Sequence, residues 1–494
     1  MRRLAKLAAW VMRRTTEVHT MHTHLTSKPH ISRRAFLRRS MLTAATAATP
    51  PLLYSLATSA QAAKATKWPI DAASLAFLRE VAAATVESAR VRPGQKRGGM
   101  GPNATGITVI TPGGNYPALW TRDFAMSLDC GLIGAAEILP QLRLIARCQS
   151  GNTERRLPSG AIIPPFAIVD HVNLAGGAVF YPGTYSSGDD QGAPPWGPLP
   201  PLDDHFYFIH IAYAVWRDTG DAKFLHESIG AYSLLERLEG AFHSPASDPT
   251  TGAAVTTKKR RGVGFGFHDS VYLLGAMSFT TLLRYRAARQ MADLCKAGGK
   301  PSASASYKRE AQKIAAHFLP VFADPAKRDG WLLAATEVGK QPDVWATLFA
   351  LHLEMLTGKA ADRARNTIAA AVRAPGNTIE YQGAVRHVPS DRYFRPNQCW
   401  EVGGGAAGTY QSGAFWHTPT GWLVDALQPI DPALARQVCD RFITHLREGD
   451  FRKGDGRNAP WECFGIDMAG AQNPVYMTSV TLPLAVLQAK YAKP

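Results

Sequence analysis

Acidic residues are scarce in this 494-residue chain, where 39 Asp and Glu face 55 Lys and Arg for a formal charge of +16. Such a surplus invites a nucleic-acid reading, so its location decides. The first 62 residues hold ten of the basic residues and one acid, Glu17, and therefore account for nine of the sixteen charges. What remains is modest. Its one basic run, Lys258-Lys259-Arg260-Arg261, reads as a solvated loop, and no nucleic-acid partner is expected. Also missing is any apolar run of the ~20 residues needed to cross a bilayer, so no stable membrane anchor is expected. Cysteines never fall in C-x-x-C spacing: Cys130, Cys148, Cys295, Cys399, Cys439 and Cys463 are dispersed, which disfavours zinc ribbons and thioredoxin-like chemistry. There is no P-loop lysine, no His-Glu-x-x-His and no Gly-x-Ser-x-Gly, leaving P-loop nucleotide, zinc-protease and serine-hydrolase readings without local support. No cofactor and no metal are expected.

The basic leader carries the first positive signal. Ser32-Arg33-Arg34-Ala35-Phe36-Leu37-Arg38 resembles the twin-arginine export signal and precedes a weakly apolar stretch from Met41 to Leu56. That stretch is interrupted by Pro50-Pro51 and ends at the small-residue site Ala60-Gln61-Ala62, so cleavage is expected after Ala62. The resemblance implies transport, by the twin-arginine machinery, of an already folded protein to a periplasmic or secreted location. Residues 1–62 would then be a removable signal peptide and 63–494 one catalytic domain.

Over the full chain, a hydrophobic content of 46% and a charged content of 19% fit a globular protein and exclude a disordered chain. Strand alternation is scarce, the best candidate being Gly106 to Thr111. Apolar residues instead recur at i, i+3, i+4 spacing, predicting about eleven helices: 71–90, 123–147, 203–217, 222–242, 270–296, 304–322, 343–356, 360–372, 419–427, 432–446 and 474–492. Two turns show how they pair. Trp216-Arg217-Asp218-Thr219-Gly220-Asp221 and Leu353-Glu354-Met355-Leu356-Thr357-Gly358 each end a helix in Thr-Gly just before the next helix, the signature of an αα-hairpin. An aromatic-rich helix, a Trp-x-x-Thr-Gly-Asp turn and an outer helix carrying Phe-Leu resemble the repeating unit of the six-hairpin glycosidase-like superfamily, which includes trehalases and glucoamylases. The resemblance spans about Asp71 to Ala492 and implies a mainly α fold, an (α/α)6 toroid of six helical hairpins, acting on an oligosaccharide or glycoside.

Glycoside hydrolysis needs two carboxyls, one protonated beside the leaving oxygen and one ionised to activate water or attack carbon. In a helical toroid these belong on loops at one end, among the Gly, Trp and Tyr that build sugar clefts. Gly264-Phe265-Gly266-Phe267-His268-Asp269-Ser270 resembles the loop that carries the general acid in trehalase-like members, although Ser270 follows the acid directly. It implies Asp269 as proton donor beside His268; equally, Asp269 or Ser270 caps a helix starting at Val271. Asn458-Ala459-Pro460-Trp461-Glu462-Cys463-Phe464-Gly465 matches the late aromatic-flanked loop of the general base, which implies Glu462 with Trp461 beside it. A structural Glu462 paired with an Arg is the other reading. The donor's pKa should be raised by its surroundings while the base's stays low.

Further segments supply the cleft. Tyr410 to Trp422 resembles the Trp-rich sugar-lining loop, with Trp416 and Trp422 to stack on pyranose faces and Gln411 and His417 for hydroxyls. Tyr116-Pro117-Ala118-Leu119-Trp120-Thr121-Arg122-Asp123 resembles the Trp-x-Arg-Asp element that holds the terminal sugar, Asp123 being otherwise a plain N-cap. Asp203 and Asp204 open a helix, one as its cap and the other as a hydroxyl clamp or a reserve acid. The same toroid hosts sugar epimerases and polysaccharide lyases, and a non-catalytic sugar-binding protein is the rival outside enzymology.

Overall fold

The computed structural model describes residues 68–492, apart from 328, 377–378 and 394–397. The leader, with its twin-arginine motif and cleavage site, lies outside the described residues. Twelve α-helices of six or more residues are described. In chain order they are α1 (Ala72–Ala89), α2 (Thr121–Met126), α3 (Ala135–Cys148), α4 (Asp203–Thr219), α5 (Leu234–His243), α6 (Ser278–Ala297), α7 (Pro301–Phe322), α8 (Val344–His352), α9 (Gly358–Arg373), α10 (Thr420–Leu427), α11 (Pro432–Glu448) and α12 (Thr478–Tyr491).

The even-numbered helices form an inner ring. Each packs on the next, α2 on α4, α4 on α6, α6 on α8, α8 on α10 and α10 on α12, and α12 closes the circle against α2 and the 3-10 turn Leu128–Cys130 that follows it. Odd-numbered helices lie outside, among them α7 on α6, α11 on α10 and α1 on α12. The fold is therefore an (α/α)6 toroid. Sequence chemistry separates the two layers. Outer helix α9 buries Ala361, Ala364, Ile368, Ala369 and Val372 on one stripe, whereas eight of the nine residues of inner helix α8 are buried, covered on all sides by neighbours.

Helix ends obey local rules. Asp71, Asp343 and Asp431 accept from backbone N–H groups at the starts of α1, α8 and α11, and Ser233 with Glu236 forms a capping box on α5. Gly220 ends α4 in the left-handed region at φ 67°.

Three expected helices are shorter than their apolar periodicity. The helix over 123–147 breaks after Met126 because Gly131 turns the chain at φ 71°, and α3 restarts at Ala135. Over 222–242 the chain makes a 3-10 turn at Lys223–His226 and a small hairpin, Ser228–Ile229 with Tyr232–Ser233, before α5 begins at Leu234. Over 270–296 the helix starts only at Ser278. The expected strand at 106–111 reduces to Val109–Ile110, paired with Arg90–Val91. All six cysteines are free, five of them buried, and among the described residues no helix is long and apolar enough to cross a membrane.

Candidate active site

The inner helices run in parallel, so their N-termini gather at one end of the ring. Arg122 in the first turn of α2 meets Asp203 and Asp204 at the start of α4, Trp345 of α8 meets Trp416 just before α10, and Thr418 hydrogen-bonds Thr478, the first residue of α12, at 3.1 Å. The chain before each inner helix is a loop or short hairpin, and these segments bring together the acids that the sequence singled out.

Arg122 is the electrostatic centre of that end. Its guanidinium donates to Asp203 at 3.0 Å, Asp204 at 2.8 Å and Asp170 at 2.7 Å, all three carboxylates being fully buried. Burial opposes the arginine's charge, but the three carboxylates together hold its pKa well above the ordinary value. Burial likewise disfavours ionised Asp170, yet Arg122 and His171 outweigh it and bring that carboxyl to about 2. For Asp203 and Asp204 burial wins and both are raised, Asp204 strongly. The resemblance implied Arg122 as a sugar contact, and Asp203 and Asp204 were expected as one helix cap and one hydroxyl clamp or reserve acid; the structure buries all three and joins both aspartates to the guanidinium, and neither side chain caps α4.

Around this centre stand three further acids. Asp123 is 4% exposed, accepts a hydrogen bond from Tyr476 and is pushed up to about 6 by burial. Asp269 is half-buried, and burial raises it to about 6 against the lowering influence of Gln411 and Arg122. Glu462 is 2% exposed, and its Oε2 accepts from Tyr116 at 2.9 Å and from Asn473. Burial, with Asp123 and Asp269 adding repulsion, pushes Glu462 up to about 8. The carboxyl expected to stay low is thus the higher of the pair, because it sits deeper. Asp269 and Glu462 repel one another, and Tyr410 is influenced by both charges. The alternative roles recede: α6 starts eight residues beyond Ser270, so Asp269 does not cap it, and no ion pair joins Glu462 to an Arg among the described residues.

Half-buried aromatic rings border these acids. Trp120 stacks on His171 with centroids 4.5 Å apart, and Tyr116 and Tyr185 meet it edge-to-face with centroids at 4.8 and 5.7 Å. Tyr116, Tyr185, Tyr410 and Trp461 all remain partly open to solvent. Other expected cleft residues turn inward. Trp422 is 4% exposed and stacks on Phe349 at 4.7 Å. Trp416 is fully buried among Phe267, Trp345, His387 and Tyr410. His417 is fully buried against Gln382, and His268 bonds His387 at 2.9 Å beneath Asp269. Gln411, also buried, commits its amide to the Asp269 loop. Residues carrying no recognised motif complete the site: Asp170 and His171 from the long segment between α3 and α4, and Asn473 and Tyr476 from the turn before α12.

No family model matches the sequence, and no curated protein does. Solved structures do. A family 15 glucoamylase from Hypocrea jecorina aligns over 85% of this chain and 73% of its own at 14% identity, with a TM-score of 0.52. A family 63 mannosylglycerate hydrolase from Thermus thermophilus aligns over 83% and 99% at 13% identity, with a TM-score of 0.50. The fold is that of the (α/α)6 glycosidases. A rhamnosidase from Klebsiella oxytoca also aligns, at 13% identity and a TM-score of 0.48, the match spanning 86% of this chain and 65% of that protein's length.

One glycine run has a different explanation from its spacing. Gly403-Gly404-Gly405-Ala406-Ala407-Gly408 has the spacing of a dinucleotide-binding loop, but Gly403 bridges Val271 and the segment runs into the 3-10 turn Tyr410–Ser412. No α-helix follows to receive a pyrophosphate. Its glycines serve close approach, since a Cβ on Gly404 would lie 3.2 Å from the Ser270 carbonyl oxygen.

Proposed function

We propose that the mature chain, Ala63 to Pro494, is an exported glycoside hydrolase that removes the terminal sugar from the non-reducing end of an oligosaccharide with inversion. The observation that carries this reading is the convergence of Asp269 and Glu462, from loops before α6 and α12, on one aromatic-walled end of the toroid. Asp269 protonates the leaving oxygen and Glu462 draws a proton from the water that attacks the anomeric carbon. Two structurally similar proteins, a glucoamylase and a mannosylglycerate hydrolase, support this class of reaction. Export rests on the resemblance of Ser32 to Arg38 to a twin-arginine signal.

Asp269 is only half-buried, and a pKa of about 6 leaves part of the population protonated near neutrality. Glu462 accepts both of its hydrogen bonds on Oε2, which orients the carboxylate and leaves Oε1 without a protein partner among the described residues. Near neutrality Asp269 at about 6 is mostly ionised and Glu462 at about 8 mostly protonated, so the productive form, with the proton on Asp269 alone, is a minority species and kcat/KM should be highest between these limbs. A lyase acting on a uronate needs a free cation for the substrate carboxylate, and Arg122 is already committed to three aspartates. Exo-action is supported by the segment between α3 and α4, which adds Asp170, His171 and Tyr185 along one side of the site.

Mature protein incubated with short oligosaccharides and chromogenic glycosides, with the product anomer followed by NMR, tests the proposal. Release of a monosaccharide of inverted configuration is expected. Glu462→Gln should lower turnover by about 10³-fold or more while sugar affinity changes only a few-fold. Substantial residual turnover in that variant, or an unsaturated product absorbing in the near ultraviolet, would reject it.

A further inference from the structure

The loop that carries Asp269 has no helix or long strand to stiffen it between Thr256 and Ser278, apart from a 3-10 turn at Gly266–His268 and a two-residue strand at Gly275–Ala276. A proton donor held by such a loop needs fixing from outside. The fixing comes from two buried side chains. Asp203 Oδ2 accepts from the Gly266 amide at 2.9 Å. Gln411 does more: its Oε1 accepts from the Ser270 amide at 2.8 Å and from the Ser270 hydroxyl at 2.7 Å, and its Nε2 donates to the Gly266 carbonyl at 3.2 Å. One amide therefore grips the loop on both sides of Asp269. Being fully buried, Gln411 faces the loop and not a ligand hydroxyl.

The grip is itself anchored. The Gln411 carbonyl accepts from the Trp400 indole at 2.7 Å, and the same late segment docks its Val402–Gly404 backbone on the acid's loop, Tyr272 N donating to Val402 O at 3.0 Å and Gly404 N to Ser270 O at 2.9 Å. On the other side Gly266 lies so close to Arg122 that a Cβ there would meet the guanidinium Nε at 1.9 Å. The loop is thus held between the arginine centre and Gln411 with no slack for the acid to wander.

We propose that Gln411 is the positioning residue of Asp269, setting both the place and the acidity of the proton donor. This rests on the glycosidase reading above and deepens it. The groups that bear on the Asp269 carboxyl are Arg122, Asp170, Glu462 and Tyr410 together with Gln411. Of these, Tyr410 is a neutral phenol, and Gln411 is the neutral group that favours the ionised acid and whose loss would leave the charges in place.

The test compares Gln411→Met, similar in size and without hydrogen bonds to offer, with Gln411→Glu, similar in shape and charged. Two substrates are used: a glycoside whose leaving group is a sugar, which needs proton donation, and the glycosyl fluoride of matching configuration, which departs with little need of a proton. Gln411→Met should lose about 10²-fold in kcat on the sugar glycoside and under about 5-fold on the fluoride, the limb of the pH profile near 6 moving upward. Gln411→Glu should move that limb further upward by like-charge repulsion. Equal losses on both substrates, or an unmoved limb in both variants, would overturn the proposal. If wild-type protein cleaves neither substrate, the glycosidase reading itself fails, and that outcome is separate because the two variants are then not compared.

Discussion

The two ends of the inner ring carry acids of opposite character. At the C-terminal end, Asp129 after α2 meets His210 and Arg217 of α4, while Asp425 of α10 meets His352 of α8 and Lys490 and Tyr491 of α12. Despite the opposing effect of burial, these partners hold both carboxyls below the ordinary range. At the N-terminal end Asp123, Asp269 and Glu462 share a space whose guanidinium is already bonded elsewhere, and all three are raised. One end pairs its charges to join neighbouring helices; the other leaves acids underpaired, at a cost in stability, where the proposed reaction would move protons.

Three substitutions probe that contrast. Arg122→Met, at the N-terminal end, should have the largest effect on stability, because Asp170, Asp203 and Asp204 would lose their common partner in a buried site. A loss of about 3–5 kcal/mol is expected in denaturant unfolding, with activity abolished. A neutral effect would mean that the aspartates are already uncharged and the arginine's role is not electrostatic.

Glu462→Gln should instead stabilise the fold, and in a pH-dependent way. The native pKa of about 8 lies above the usual value of 4.5, so native Glu462 keeps a proton that the unfolded chain releases. Its contribution is fully present below pH 4.5 and is lost as pH rises through about 8. The amide carries no such dependence. Thermal unfolding at pH 5 and pH 8 should show the variant gaining about 1–3 kcal/mol on wild type between the two, and a constant difference would place an ionised Glu462 in the native protein throughout.

Asp425→Asn, at the opposite end, should cost only about 1 kcal/mol, since Lys490 is partly exposed. The sign is reversed: the lowered carboxyl stabilises above the unfolded value of about 4 and stops doing so as pH falls through its native pKa. Activity per folded molecule should be unchanged, and a drop of more than a few-fold would blur the division between the ends.

Much of the toroid was legible because its outer helices are amphipathic and its Thr-Gly turns announce hairpins. Helix starts were less so. Apolar residues continue through 222–233 and 270–277 at helical spacing, but there they line hairpins and loops packed on the ring, and periodicity does not distinguish the two kinds of burial. Asp123, Asp269 and Glu462 stood out through their Gly and aromatic neighbours. The direction of the rings did not: Trp120 and Trp461 keep partial exposure whereas Trp416 and Trp422 fill the interior, and only tertiary packing decides which indole is which. Asp170 and His171 escaped notice because their segment has no repeat and no motif. Tyr116, Glu462 and Asn473 meet only when the two ends of the sequence do, separations that no local window spans.

The closing of α12 against α2 also has a temporal meaning. Ten consecutive residues of α12, Thr478 to Leu487, are buried, and none of them exists until the other eleven helices have been synthesised. Up to that moment the nascent chain displays an open seam between α2 and α10, greasy and without a lid. Closure of the ring must therefore wait for α12, and the seam is the surface a chaperone would have to guard in the meantime.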